Sequence, residues 1–396
     1  MSRFNEVYKE NSFYKVFLTT LVLSGIGYGI YKGIIDNYMA EIVVMNEFDR
    51  GLLEFFRELP GLMLIFILAV LYTFSAERLY KIGAVIMLFG MGMLGLVSPT
   101  KSLVTIAVCT FSLGEHIQLG MKNTLSLQYA KEKKGGQALG YQNSIYQMGS
   151  LLGYLVIILA FSLLFRTKPY KSFFLCATVF LAAATFFAFR IGGESATDKT
   201  KSRFYFRKKF TKYYMLEVFY GARKQVFFTF GPYVLILHYG ASASTLSLLF
   251  AISSICGFLL SPYIGRLIDR IGYKIVMVSD TIILVGVCFL YGFADHIFPK
   301  DIAFIVCCIN YILDSIISLA SMASNVYVKD ISDSEEEVRA TISTGISVNH
   351  LITIFIALFG GLIWQKLGIE TLFIVSAILG LCNSAYAATI RTGKKA

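Results

Sequence analysis

Charged side chains stand inside stretches of this sequence that are otherwise apolar. Lys32 and Asp36 lie one helical turn apart in the first such stretch. In the second, Glu54, Arg57 and Glu58 share one helical face. A basic side chain at the centre of a lipid-facing helix costs about 3 kcal/mol, so these groups must snorkel to the interface, pair with acids or line a hydrated cavity. Two interpretations stay open: an ion-pair cluster that fixes packing or closes an outer gate, and direct binding of a solute or proton.

A second candidate for proton chemistry is the segment GEHIQLGMKN, which carries Glu115 and His116 near the middle of an apolar run. Lys122 follows almost two turns later. An acid beside a histidine in a low-dielectric setting can take up and release a proton. We therefore interpret Glu115 and His116 as proton-coupling candidates, together with Asp36 and Glu217. A purely structural role is the alternative.

The second half of the chain has its own set of polar candidates. Arg223 and Lys224 are adjacent, so on a helix they point about 100° apart and at most one is expected to face the interior. His350 is a packing residue in one interpretation and a cavity residue in the other. The further candidates for a solute cavity are Asp314 and Asn349 in this half, and Asn143 and Gln147 on a polar helical stripe in the first half.

The elements that position these groups are predicted to be membrane-spanning helices. Of the 396 residues 56% are hydrophobic and only 15% charged, against about 25% charged in a soluble domain. A span takes about 20 helical residues. Apolar runs between charged or Gly/Pro breaks predict twelve spans, with limits near residues 14–40, 51–74, 80–98, 102–130, 137–165, 171–190, 212–239, 244–265, 273–294, 302–328, 339–365 and 369–390.

The distribution of basic residues predicts the orientation of these spans. With the amino terminus inside, the inner segments hold 24 Lys and Arg and the outer loops hold seven. This bias predicts that both termini are cytoplasmic, and we expect a multi-pass protein of the cell membrane. It also accounts for the net charge of +11 without a nucleic-acid partner. The polar stretch 191–211 is predicted to be a cytoplasmic basic linker between an N-terminal six-helix bundle, residues 1–190, and a C-terminal one, residues 212–396.

One loop carries a family resemblance. The segment GRLIDRIGYK, residues 265–274, has the pattern Gly-x-x-x-Asp-Arg-x-Gly-x-Lys. It resembles the signature loop that the major facilitator superfamily places between the second and third helices of each six-helix half. The equivalent first-half loop, TFSAERLYKIG at residues 73–83, is degenerate. The resemblance implies an all-α membrane protein of two pseudo-symmetric six-helix bundles around a central cavity that opens alternately to each side.

The resemblance also implies a role for the charges of the loop. Ion pairs made and broken by Arg266, Asp269 and Arg270 would bias inward against outward states. The alternative is a positive-inside loop with one compensating acid. The departure of the first-half loop from the pattern puts the gating role usually assigned to that loop in question.

These observations favour a secondary active transporter. We expect coupling to protons, with sodium open, and a small polar organic solute, with an anion as one option because several bases lie in the spans. The chain has no Gly-x-x-x-x-Gly-Lys-Ser/Thr phosphate loop, and we expect no enzyme, cofactor or metal site. The lipid bilayer and the solute are the expected partners of a functional monomer. The alternatives are a polyspecific drug or organic-cation efflux antiporter, and a non-transporting membrane sensor or scaffold.

Overall fold

The structure is a computed structural model that describes residues 2–10, 13–70, 74–132, 134–164, 168–192 and 206–390. Within these residues the chain is helical. Most of the predicted linker lies outside the described residues. The helices are α1 Ser2–Val7, α2 Tyr14–Glu41, α3 Glu47–Val70, α4 Ala76–Leu96, α5 Lys101–Tyr129, α6 Gly135–Leu159, α7 Tyr170–Phe189, α8 Thr211–Leu237, α9 Ala243–Ile271, α10 Tyr273–Ile297, α11 Lys300–Ile317, α12 Met322–Ile331 and α13 Glu335–Ala388.

Hydroxyl side chains mark where several of these helices begin. The hydroxyl of Ser75 accepts a hydrogen bond from the Arg78 amide at 3.3 Å before α4. The Ser334 hydroxyl accepts one from the Glu337 amide at 3.1 Å before α13. Such caps satisfy amide groups that have no partner within the helix. The sequence therefore sets these helix starts locally.

Nine helical segments of the described residues are long and apolar enough to cross a membrane. Helices α3 and α8 are not among these nine segments. The last of the nine covers two predicted spans, since α13 contains a break at Gly368, where φ is +90° and ψ is 166°. This left-handed φ favours glycine. The multi-span helical class is confirmed, while the full count of twelve spans stays a prediction.

The chain divides into two compact units. Unit 1 comprises Met1–Val44, Phe56–Lys201 and Ser242–Ala251, and unit 2 comprises Met45–Phe55, Ser202–Ala241 and Ile252–Ala396. Helices α3 and α9 therefore contribute residues to both units. The predicted division at residues 191–211, by contrast, keeps each of these two helices within one bundle.

Glycines pack α2 directly against α6 in unit 1. A Cβ at Gly25 would meet the carbonyl oxygen of Tyr146, and one at Gly149 would meet that of Val22. Gly153 lies as close to the backbone of Ile26. Small residues at four-residue spacing allow such backbone contact between membrane helices. This close packing fixes the polar stripe of α6 relative to α2.

In unit 2 the contact of α8 with α13 is filled by side chains instead. A Cβ at Gly221 of α8 would lie 2.7 Å from the amide nitrogen of Asn349. Gly345 of α13 faces the ring of Tyr213 in the same way. The core of this unit includes the buried aromatic residues Phe210, Tyr213 and Tyr327. Helix α8 is thus held to α13 through side chains rather than through backbone contact.

Candidate functional site

In unit 1, the predicted pair of Lys32 and Asp36 is formed. The Lys32 ammonium lies 3.0 Å from a carboxylate oxygen of Asp36, and only 2% of Asp36 is exposed. The same ammonium lies 5.0 Å from the centre of the Phe250 ring, within the range of a cation–π contact. This base is therefore neutralised within its own helix and covered by an aromatic ring.

Arg57 and Glu58 form a second ion pair of unit 1. The Ser112 hydroxyl donates to the carbonyl oxygen of Arg57 at 2.6 Å, which ties α3 to α5. His116 is buried, and its Nδ1 lies 2.8 Å from the carbonyl oxygen of Ser112. A ring nitrogen of His116 and a carboxylate oxygen of Glu58 are within 4.8 Å of each other. The predicted candidates Glu58 and His116 are thus neighbours on adjacent helices.

Glu115 lies among tyrosines in unit 1. Its carboxylate interacts electrostatically with the hydroxyl groups of Tyr28, Tyr146 and Tyr154. It also interacts with the ammonium of Lys122, which lies 4.6 Å from the centre of the Tyr146 ring. Glu115 and Lys122 are both half-buried. The arrangement combines one acid, one base and several aromatic hydroxyl groups, and we call it the tyrosine cluster.

The polar stripe of α6 continues beside this cluster. Asn143 and Gln147 are exposed in the structure, whereas Ser150 is buried and donates to the carbonyl oxygen of Tyr146 at 3.1 Å. An exposed amide on a membrane helix can hydrogen-bond a solute. The stripe therefore places two exposed polar side chains next to the Tyr146 ring, which contacts the Lys122 ammonium.

Glu54 has a different environment from the other acids of α3. It belongs to unit 2, where its carboxylate lies 2.8 Å from the guanidinium of Arg50. The amide of Gln225 donates to the same carboxylate at 3.2 Å. Glu54 is fully buried and Arg50 is 3% exposed. The predicted span 51–74 begins after Arg50, so the sequence analysis did not predict this buried pair.

Arg223 and Lys224 point in different directions, as the helical geometry predicts. Lys224 is exposed, and Arg223 is 1% exposed. The Arg223 guanidinium lies 3.5 Å from Asp280 of α10 and 3.9 Å from Asp314 of α11. Asp280 was not among the predicted site residues. It stands inside a predicted apolar span, which is the signal that would have found it.

Glu217 accepts hydrogen bonds from two helices of unit 2. The Ser324 hydroxyl donates to its carboxylate at 3.0 Å, and the Asn349 amide donates at 3.4 Å. His350, the next residue of α13, is half-buried. The predicted candidates Glu217 and Asn349 are thus brought together, and Glu217 interacts electrostatically with Lys224.

The loop with the family pattern lies at the carboxyl end of α9. Arg266, Asp269 and Arg270 are all exposed there. Gly272 has a φ of +89°, a left-handed conformation that favours glycine, and it precedes α10. The ammonium of Lys274 donates to the carbonyl oxygen of Ile390 at 2.9 Å. The pattern therefore has a local structural basis at Gly272 and Lys274, and the gating role of its other charges stays a prediction.

Solved structures of membrane transporters share this fold. The chain has a TM-score of 0.74 with a D-xylose–proton symporter, at 13% identity over 96% of this chain and 98% of that one. With the nucleoside transporter NupG the TM-score is 0.73, at 14% identity over 96% and 100%. A bacterial homologue of the human lysosomal transporter Spinster gives 0.69, at 14% identity over 95% and 96%. A comparison with curated protein sequences finds no match. The chain thus shares the fold of these transporters.

The sequence of the second half resembles a known family. Residues 213–395 match the model of the Major Facilitator Superfamily. This part of the chain is therefore similar to that family, and the chain shares the fold of the transporters above.

Proposed function

We propose that the protein is a secondary active transporter that moves a small polar organic solute by alternating access and couples this movement to protons. The observation that carries the proposal is the tyrosine cluster, in which the half-buried Glu115 and Lys122 stand inside membrane helices beside aromatic hydroxyl groups. Charged groups at such a depth mark solute or ion pathways by default. The D-xylose–proton symporter among the neighbours supports coupling to protons.

The charge pattern favours a neutral or zwitterionic solute over an anion. The anionic option rested on bases of the spans, and the structure pairs Lys32 with Asp36, and Arg57 with Glu58. Lys122, in turn, interacts with Glu115. A cluster with one acid, one base and aromatic rings complements a solute that carries both signs or neither. Sugars and nucleosides, which the names of two neighbours include, are neutral solutes of this kind.

The remaining parts of the proposal concern topology. We propose that the two halves, residues 1–190 and 212–396, are the moving bundles and that both termini are cytoplasmic. The protein would act as a monomer in the cell membrane. The exposed bases at the end of α9, Arg266 and Arg270, agree with a cytoplasmic loop.

An organic-cation exporter is the alternative function. Aromatic rings around a carboxylate bind organic cations, and Glu115 lies among three tyrosines. One ring face of Tyr146, however, is already occupied by the ammonium of Lys122 at 4.6 Å. The internal lysine would repel a second cation, which favours the polar-solute proposal.

The test uses purified protein in vesicles that contain a pH-sensitive dye. Sugars, nucleosides, amino acids and carboxylates are added class by class, and solute-dependent proton movement is recorded. We expect Glu115→Gln and Lys122→Met to weaken the response to the active class about tenfold, equivalent to about 1.4 kcal/mol of lost binding. Lys300→Gln, an exposed change at the start of α11, is the matched control.

Two outcomes would contradict the proposal. One is the absence of proton movement with every solute class. The other is efflux of cationic dyes from a pump-deficient host that depends on Glu115, which would establish the exporter instead.

A further inference from the structure

The structure holds a buried charge cluster in unit 2 that the solute site does not use. Arg223 of α8 stands between Asp280 of α10 and Asp314 of α11, and we call these three residues the arginine triad. The nearest nitrogen–oxygen distances are 3.5 Å to Asp280 and 3.9 Å to Asp314. Charge-assisted hydrogen bonds are typically about 2.7–2.9 Å long. The guanidinium therefore attracts both carboxylates without hydrogen-bonding closely to either.

The triad has unused hydrogen-bonding capacity in a dry environment. Among the described residues, neither terminal nitrogen of Arg223 has a hydrogen-bond partner, and neither has the Oδ1 atom of Asp314. Arg223 is 1% exposed and Asp314 is 7% exposed. Buried polar groups are nearly always hydrogen-bonded because leaving them unsatisfied costs free energy. The guanidinium therefore has the capacity to form a close hydrogen bond with either carboxylate.

The charges of the triad do not balance. Two ionised carboxylates and one guanidinium leave a surplus negative charge inside a membrane protein, which is costly. Lys224 interacts with Asp314 electrostatically, but its side chain is exposed. Among the described residues, the neighbouring side chains are neutral: the Thr281 hydroxyl, which donates to Asp280 at 3.2 Å, the Cys288 thiol of α10, the Tyr220 ring of α8 and the Ser376 hydroxyl of α13. One added positive charge would neutralise the cluster.

We infer that the arginine triad is a proton-binding site, in which Asp280 and Asp314 together take up one proton against Arg223. This inference rests on the proposed proton coupling and adds a site for the proton outside the tyrosine cluster. The proton binds a carboxylate oxygen and leaves to water, with no other bond formed or broken. A metal cation fits less well, because the guanidinium would repel it and hard cations require several oxygen ligands.

Protonation has a structural consequence for three helices. With both carboxylates ionised, Arg223 is shared between α10 and α11. When one carboxyl group is protonated, the guanidinium has a single anionic partner, and the helix with the neutral group is released from the charge contact. The triad therefore gives unit 2 two arrangements that a proton selects between, which is the requirement for coupling proton binding to a conformational change.

The inference is tested by infrared difference spectroscopy on the purified full-length protein between mildly alkaline and mildly acidic buffer. A buried carboxyl group that takes up a proton produces a carbonyl stretching band of the neutral acid. We expect this band in the wild type, and we expect Asp314→Asn or Asp280→Asn to abolish it. Asp301→Asn, which removes an exposed acid from the first turn of α11, is the control and should retain the band.

The first result that would overturn the inference is measured on the wild type and does not depend on the variants folding. A wild-type protein without the buried-acid band has no such proton site, and a band that survives in both triad variants belongs elsewhere. A band that sodium chloride suppresses, but choline chloride does not, would show a sodium site instead.

The same experiment separates this inference from the proposed function. A triad-dependent band in a protein that moves no solute would leave the proton site standing and reject the transporter proposal. Proton-coupled transport without the band would support the transporter proposal and reject the proton site at the triad.

Discussion

The two units of the chain treat similar residue types in opposite ways. In unit 1, Glu115 and Lys122 are half-buried and lie beside tyrosine hydroxyl groups and the exposed amides of α6. In unit 2, Arg223 and Asp314 are buried and face each other and Asp280. A partly exposed charge can meet a molecule as large as a solute, whereas a buried charge can exchange only a proton or a small ion. The comparison therefore supports the proposals of solute contact in unit 1 and proton binding in unit 2.

The contact of α2 with α6 in unit 1 and the contact of α8 with α13 in unit 2 are packed differently. The contact of α2 with α6 is backbone against backbone through Gly25 and Gly149. The contact of α8 with α13 passes through the side chains of Asn349 and Tyr213. Side chains can change rotamer, while close backbone contacts cannot adapt without moving a helix. We expect the contact of α2 with α6 to tolerate added side-chain volume less well than the contact of α8 with α13.

The largest expected effect comes from removing the base of the arginine triad. Arg223→Leu leaves Asp280 and Asp314 without their guanidinium, and breaking a buried ion pair in this way costs about 3–5 kcal/mol. We expect the variant to lose most of its folded, monodisperse protein, measured by size-exclusion chromatography and thermal melting in detergent. Lys224→Leu, the adjacent and exposed base, is the control and should melt close to the wild type.

A rescue sharpens this prediction. Adding Asp280→Asn and Asp314→Asn to Arg223→Leu removes all three charges, and apolar or neutral replacement of a buried ion cluster is often tolerated. The triple variant should therefore recover most of the melting temperature. If Arg223→Leu and Lys224→Leu melted alike, the burial contrast between the two residues would be refuted.

The sequence predicts the positions of the helices better than the partners of the charges. The predicted span 171–190 is observed as Tyr170–Phe189, and the predicted break between residues 365 and 369 falls at Gly368. Apolar runs and glycine breaks are local features, so they can be predicted from a single sequence. The pairing of Arg223 with Asp280 depends on how α8 and α10 are rotated against each other, and this rotation is determined by packing. The pairing of Glu54 with Arg50 lies within one helix, and it escaped prediction because the predicted span began only at residue 51.

An intermediate effect is expected at the glycines of unit 1. A Cβ at Gly153 would lie 2.7 Å from the backbone nitrogen of Ile30 and 2.8 Å from the Cα atom of Gly29. Gly153→Ala must therefore push α6 away from α2, and overpacking of this kind costs about 1–3 kcal/mol. Thermal melting should show a clear decrease.

Gly120 of α5 is the matched control for this change, since no atom lies within 4 Å of its ideal Cβ position. Gly120→Ala should be neutral or stabilise the helix by up to about 1 kcal/mol, because alanine favours a helix more than glycine does. Equal melting temperatures for the two variants would mean that the backbone contact of α2 with α6 is not as close as described.

The smallest effects are expected for two polar contacts, one in each unit. Lys209 of unit 2 lies 2.7 Å from Asp333, whose side chain is 86% exposed, so water and salt screen the pair. The hydrogen bond to Asp333 raises the pKa of Lys209. Its contribution is therefore present at neutral pH and is lost only as the pH rises through this raised value. Because water and salt screen this contribution, Lys209→Gln should change the melting temperature very little at neutral pH.

The contrasting contact in unit 1 is buried. Tyr8 is fully buried, and its hydroxyl donates to the carbonyl oxygen of Ala138 at 3.1 Å. Tyr8→Phe keeps the ring and leaves that carbonyl oxygen without this donor, which costs about 1 kcal/mol in a dry environment. Melting should therefore shift for Tyr8→Phe and not for Lys209→Gln, at low and at high salt. A salt-dependent loss in Lys209→Gln would show that exposed ion pairs contribute to the stability of unit 2 after all, and would remove this contrast between the units.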